Sequence, residues 1–159
     1  EEEGAIKLTE KEMIESIFKF DNTEIRQVMI PKAEIISISS EATIKDFLDI
    51  LNRYGYSRYP VYEKSKDNII GVIFYKDATK EIYEGKLETP VKKIMRRPRF
   101  VFETKKIDTL MRQFQKLNEH IAIVINENGK VTGIVTLEDV LEELVGEISD
   151  EAEKIRIKK

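Results

Sequence analysis

The sequence predicts an α+β fold of two β-α-β-β-α repeats related by a pseudo-twofold axis, and three observations carry that expectation. The chain is self-similar with a period of roughly 60 residues. Asn68-Ile69-Ile70-Gly71-Val72-Ile73-Phe74-Tyr75-Lys76-Asp77 matches Lys130-Val131-Thr132-Gly133-Ile134-Val135-Thr136-Leu137-Glu138-Asp139, with glycine and aspartate at the same spacing. Within each half the hydrophobic pattern changes in one order: a short apolar stretch, a helical stripe, two β-rich runs, then another helix.

The elements follow in chain order. Residues 1–22 are expected to form a linker carrying an amphipathic helix over 8–20, with Thr9 as N-cap and Glu12 as its capping-box partner. Residues 23–84 form the first repeat, opened by Val28-Met29-Ile30-Pro31. Its helix over 44–53 places Ile44, Phe47, Leu48 and Leu51 on one stripe. The strand Tyr59-Pro60-Val61-Tyr62 then parallels Ile121-Ala122-Ile123-Val124 of the second half. A connector over 84–90 leads to the second repeat, 85–150, which opens on Ile94-Met95-Arg96-Arg97-Pro98. There the helix over 107–118 turns Ile107, Leu110, Met111, Phe114 and Leu117 inward. Strands over 121–126 and 131–135 flank Glu127-Asn128-Gly129-Lys130, and Asn-Gly predicts a type I′ hairpin turn. Residues 151–159 read as a charged tail.

Composition narrows the function. A chain of 159 residues, 41% hydrophobic, suits two small repeats sharing a core. Its 27 lysines and arginines are interleaved with 30 aspartates and glutamates for a net charge of -3, so nothing is built to neutralise a nucleic-acid backbone. The basic residues Lys92, Lys93, Arg96, Arg97 and Arg99 read as a solvated loop. With no cysteine and only His120, disulfides, thiolate metal sites and a cysteine nucleophile are excluded. His120 itself reads as a structural or cleft-wall residue. No run approaches the ~20 apolar residues of a membrane span, and the acidic start Glu1-Glu2-Glu3 is the reverse of a signal peptide. A cytosolic setting is expected, and the missing initiator methionine points to a piece of a longer protein. No nucleophile-base set and no glycine-rich phosphate loop is present, which argues against an enzyme.

The strongest chemical candidate is Gly133-Ile134-Val135-Thr136-Leu137-Glu138-Asp139, a strand running into a helix. Thr136 and Asp139 have the spacing of an N-cap and its N3 partner, a purely structural arrangement. The same geometry also suits a nucleotide. Free N–H groups and the positive dipole end face outward, and a carboxylate one turn in can accept from both hydroxyls of a ribose. Two such junctions about a pseudo-twofold axis would leave a cleft with walls from both halves.

Gly-h-h-Thr-x-x-Asp closing a tandem β-α-β-β-α repeat resembles the CBS domain pair, or Bateman module. More narrowly, Arg26-Gln27-Val28-Met29-Ile30-Pro31, Gly55-Tyr56-Ser57-Arg58-Tyr59-Pro60-Val61-Tyr62-Glu63, Asp67-Asn68-Ile69-Ile70-Gly71-Val72 and Ile134 to Ile148 resemble the CBS pair of CorC/HlyC/TlyC-type proteins. Those are hemolysin-like membrane transporters linked to magnesium and cobalt efflux, and the similarity runs from about residue 10 to residue 151.

The resemblance implies a regulatory module that binds an adenine nucleotide (AMP, ADP or ATP, with or without Mg2+) and modulates an attached ion transporter. The implied site is Tyr56, Ser57, Arg58, Pro60, Ile134, Thr136 and Asp139. Thr136 and Asp139 would take the ribose, and Tyr56 and Arg58 the base and phosphates. A second, lesser site would use Asp77, His120 and Ala122. Phe74 stands where Thr136 stands in the other repeat, so one good site is expected rather than two. Ile30 replaces a threonine common in this subfamily, which removes a polar contact. The resemblance further implies a homodimer through the repeats, a transmembrane domain in the parent protein, and a place on the cytoplasmic face of the membrane. The alternative is a ligand-free dimerisation scaffold with a degenerate site.

Overall fold

A computed structural model describes residues 20–146 together with Glu10, Lys11 and Ile14. Glu10, Lys11, Ile14, Phe20 and Asp21 are helical, whereas the cap expected from Thr9 and Glu12 and the tail 151–159 lie outside the described residues. After the short helix Ile25–Val28 come β1 (Ile30–Pro31), β2 (Ile38–Ser39), the helix Ile44–Tyr54, β3 (Arg58–Glu63), β4 (Ser65–Phe74) and the helix Tyr75–Tyr83. The second half gives β5 (Phe100–Phe102), the helix Ile107–Leu117, β6 (Ile121–Ile125), β7 (Val131–Thr136) and a final helix over 137–146.

Two sheets result, one ordered β2-β3-β4 and the other β1-β7-β6-β5. In each, the strand before the helix pairs parallel with the strand after it, and a hairpin closes the unit. A helix must connect the parallel pair, because such a crossover cannot be made by a tight turn. Most of each helix stripe packs as its spacing requires, with Ile44 and Phe47 buried on one helix and Ile107, Leu110 and Phe114 on the other, but Leu117, at the end of its helix, is 43% exposed rather than turned inward.

What the spacing does not reveal is that the repeats exchange their opening segments. β1 lies before the first repeat's helix yet pairs antiparallel with β7 of the second, Ile30 opposite Ile134. Reciprocally, Arg96 bridges Val72 on β4 of the first, with backbone bonds of 3.0 and 2.8 Å. The segment around Glu24 docks on Lys106, and the segment around Pro90 docks on Thr43. This exchange explains the glycine of each repeat. A Cβ on Gly133 would lie 2.5 Å from the Ile30 carbonyl oxygen and 2.7 Å from Met29 Sδ, and one on Gly71 would lie 2.5 Å from Met95 Sδ. Both glycines are there because another backbone crosses close by, not for a turn.

Three apolar clusters follow from the exchange. One joins Phe20 and Ile25 to Ile107, Leu110, Phe114 and Val135, and a second joins Val91 to Ile44, Phe47, Tyr59 and Ile73. The third lies between the sheets, where Ile69, Val72, Ile121, Ile123, Val131 and Ile134 meet. It holds the halves together, and the clefts open at its margins.

The second hairpin forms, but its turn differs from the expected type I′. That turn needs positive φ at both central residues, and here Gly129 alone is positive, at 75°. Gly129 N–H donates to the Asn126 carbonyl (2.9 Å), and the Asn126 side-chain oxygen accepts from Asn128 N and Lys130 N, both at 3.0 Å. Asn126 therefore shapes the loop through its own amide, as Asx turns do, and Asn128 keeps an ordinary conformation.

Candidate functional site

The helix over 137–146 starts with Thr136 as its cap. Thr136 N–H donates to Asp139 Oδ2 and Asp139 N–H donates to Thr136 Oγ1, each at 3.2 Å. This is a capping box, the structural reading of the motif. It uses only part of the carboxylate, since an ionised aspartate has about four lone-pair positions. Both side chains remain half-buried at the edge of a cleft of about 570 Å³.

The opposite wall comes from the first half. The helix Ile44–Tyr54 ends at Gly55, whose φ of 71° is the left-handed C-cap conformation that glycine adopts without strain. The chain then turns through Tyr56 and Ser57 into β3. Tyr56 N–H donates to the hydroxyl of Tyr59 (2.7 Å), a fully buried residue whose ring meets Phe47 edge-on at 5.5 Å. Burial raises the Tyr59 pKa above its ordinary value, and the bond from Tyr56 opposes that rise. The Tyr56 ring is exposed and stacks on Tyr54, with 17° between the planes.

Arg58 lies on the cleft wall with its guanidinium 5.2 Å from the centre of the Phe74 ring. Its Nη1 is 3.8 Å from Glu138 Oε1, too far for a hydrogen bond, and Nε is buried without a partner. His120 Nδ1 is likewise buried and unpartnered, 3.9 Å from the same Glu138 oxygen. A buried donor without a partner is costly, and the guanidinium that carries it lies on the cleft wall.

The structure thus brings Tyr56, Ser57, Arg58, Ile134, Thr136 and Asp139 to one cleft, where Ile30, Glu34, Ile35, Ile36, Ile121 and Glu138 join them. Pro60 does not line it, because it is buried further along β3, opposite Val72. Glu34, Glu138 and the Ile35–Ile36 wall were not foreseen. Glu138 carried a signal, as it occupies the first helical turn between Thr136 and Asp139.

The pseudo-symmetric cleft, about 430 Å³, is lined by Val72, Phe74, Arg96, Arg99, Asn118, Glu119 and His120 among others. Two of its arginines are spent on neighbouring carboxylates. Arg96 donates from Nε and Nη2 to both oxygens of Asp77 (2.6 and 2.8 Å) and lies 4.3 Å over the Phe74 ring. The Arg96 guanidinium holds the Asp77 carboxyl below the usual carboxylate range. Arg99 grips Glu119 in the same two-pronged way, at 2.8 and 2.6 Å. Ala122, expected at this second site, is instead 1% exposed within the core beside Val124 and Val135. His120 does line the cleft. Among the described residues no cluster of three or more His, Asp or Glu could hold a metal ion, and no helix is long and apolar enough to cross a membrane.

Comparison with known proteins gives the lineage. The family model for the CBS domain matches residues 25–84 and again 91–146. The UPF0053 protein Rv2366c of Mycobacterium tuberculosis is 39% identical over 154 residues, covering 95% of this chain and 35% of that protein. The magnesium and cobalt efflux protein CorC of Escherichia coli is 34% identical over 141 residues, covering 89% of this chain and 48% of CorC. The chain therefore spans about a third to a half of these relatives' length. The structure of the CBS domain of a bacterial CNNM/CorC family Mg2+ transporter in complex with ATP superposes with a TM-score of 0.81 at 40% identity, over 86% of this chain and 97% of that one.

Proposed function

The chain belongs to the CBS-domain family, as a CBS pair of the CNNM/CorC magnesium-transporter type, and on that premise we propose that it is a regulatory module binding one adenine nucleotide in the larger cleft. The observation that carries this reading is the convergence of Tyr56 and Arg58 from one half with Thr136 and Asp139 from the other. The exposed Tyr56 ring offers a face to the base, the spare lone pairs of Asp139 suit the ribose hydroxyls, and the Arg58 guanidinium suits a phosphate oxygen. Related structure supports the ligand class, since a CBS domain of 40% identity was solved with ATP.

Electrostatics bears on which nucleotide fits. Glu34, Glu138 and Asp139 line the cleft against the single guanidinium of Arg58. Three carboxylates favour a short phosphate chain such as AMP, or a polyphosphate whose charge is offset by Mg2+. Bound across the two halves, the nucleotide favours one relative arrangement of the repeats, and that bias is the signal to a transporter domain on the membrane side. A coupling of ~1–3 kcal/mol is typical of such linkage. The module is not an enzyme in this reading. It works as a homodimer, for which exposed Tyr75 and Tyr83 on one helix and Leu141 and Val145 on another offer an apolar surface. The scaffold alternative draws support from the second cleft, where Arg96 is paired with Asp77 and Arg99 with Glu119.

Calorimetric titration with AMP, ADP and ATP, each with and without Mg2+, tests the proposal on the wild type and on Asp139→Ala and Asp139→Asn. Saturable binding is expected in the wild type, weakened roughly tenfold or more in both variants, given ~1.5–3 kcal/mol for hydrogen bonds to a charged group. Asn keeps an oxygen for the Thr136 amide, so a loss in Asp139→Asn separates ligand binding from helix capping. No heat with any nucleotide would leave the scaffold.

A further inference from the structure

Phe74 is the residue by which the first repeat departs from the hydroxyl pattern of the second, and its ring has a second occupation besides lining the smaller cleft. Arg58 and Phe74 are directly opposed across the β3-β4 ladder, and the guanidinium sits 5.2 Å from the ring centre. The ring also bears Arg96, at 4.3 Å, which is locked in place by two bonds to Asp77. Arg58 has little else to orient it. Glu138 lies beyond hydrogen-bond distance, and the buried Nε has no partner.

We propose that Phe74 is a positioning residue for nucleotide phosphate: its ring, itself backed by the Arg96-Asp77 pair, holds the Arg58 guanidinium against the wall of the larger cleft with its donors unspent. The inference rests on the nucleotide reading above and adds the element that makes Arg58 effective. A threonine here, as at position 136, would leave the long Arg58 side chain free to swing to the exposed carboxylate of Glu138. The two clefts are then not an intact site and a ruined one. The ring that stands in place of a second hydroxyl orients the phosphate-binding arginine of the first.

Titration of the wild type, Phe74→Leu, Phe74→Tyr and Arg58→Ala with AMP and with adenosine, which lacks the phosphate, tests this. Cation–π contacts of this kind imply a loss on the order of three- to tenfold in AMP affinity for Phe74→Leu. Adenosine affinity should be unchanged, and Phe74→Tyr should bind AMP as the wild type does. The Phe74→Leu loss should also vanish in the Arg58→Ala background, because the ring then has nothing to orient. Equal AMP affinity in wild type and Phe74→Leu, or equal losses for AMP and adenosine, would overturn the inference while leaving the nucleotide reading intact. A wild type that takes no AMP overturns both. Should Phe74→Leu fail to fold, the Nε–H resonance of Arg58 in the wild type still decides. It must move on adding AMP and stay put on adding adenosine, and an immobile resonance sinks the idea.

Discussion

The two strand-to-helix junctions share one backbone and almost no chemistry. Leu137 N–H donates to the His120 carbonyl and Tyr75 N–H to that of Ser57, both at 2.9 Å, so Ser57 and His120 are equivalent positions. Glu119 then stands where Tyr56 stands, and Ile121 where Arg58 stands, because strand pairing shifts the match by one residue from the Tyr59-to-Ile121 correspondence expected from the sequence. Phe74 replaces Thr136, and Arg96 replaces Ile30 at the exchanged strand. Tyr56, Arg58, Thr136 and Asp139 in the larger cleft each have a counterpart in the smaller one that is apolar or bound to a neighbour. Helix capping divides the same way. In the first half the capping box sits on the helix remote from the junction, Thr43 with Asp46, and Phe74 caps nothing; in the second half Lys106 caps nothing and Thr136 with Asp139 caps the junction helix. Identical topology therefore constrains the glycines and the core, while the junction side chains are free to diverge.

The largest difference expected between the halves is steric. Gly133→Ala drives a Cβ to 2.5 Å from the Ile30 carbonyl, which is backbone, while Gly71→Ala meets chiefly the flexible Met95 side chain. Gly133→Ala should cost about 2–3 kcal/mol and Gly71→Ala about 1 kcal/mol, read from urea unfolding. Equal costs would mean that the two crossings are equally tight. Capping comes next. Thr136→Ala and Thr43→Ala should each lose about 1 kcal/mol, whereas Lys106→Ala should change the melting temperature little.

The smallest effect is electrostatic. Because Arg96 depresses the Asp77 pKa in the folded state, the pair's contribution is present above the ordinary aspartate value and fades as pH falls through the depressed one. Arg96 is nearly half exposed, so Asp77→Asn should cost under about 1 kcal/mol at neutral pH. The difference from wild type should shrink on acidification below about pH 4. A difference that grew with acid would contradict the assigned pairing.

Much of this was legible in the residues. The stripes Ile44-Phe47 and Ile107-Leu110-Phe114 report helices because burial imposes their spacing, and the repeated Gly and Asp report the duplication. The Thr136-Asp139 pair points to a helix start whichever role it serves. What lay outside reach depends on contacts far apart in sequence. Nothing local tells that Met29 and Met95 cross onto the opposite repeat's glycine, or that Arg96 closes on Asp77. The hairpin turn was misread because Asn126, outside the Asn-Gly pair, captures two amides with its side chain. Pro60 and Ala122 came with the motif, but strand geometry turns them into the interior.

The central claim is one cleft built to take a nucleotide and one in which Arg96 and Arg99 are paired with neighbouring carboxylates, and the number of nucleotides bound per chain tests it most directly. Equilibrium titration with AMP and with Mg2+-ATP should saturate at one nucleotide per chain, and Asp77→Asn should leave that number at one. Saturation at two, or a site lost on Asp77→Asn, would contradict the account.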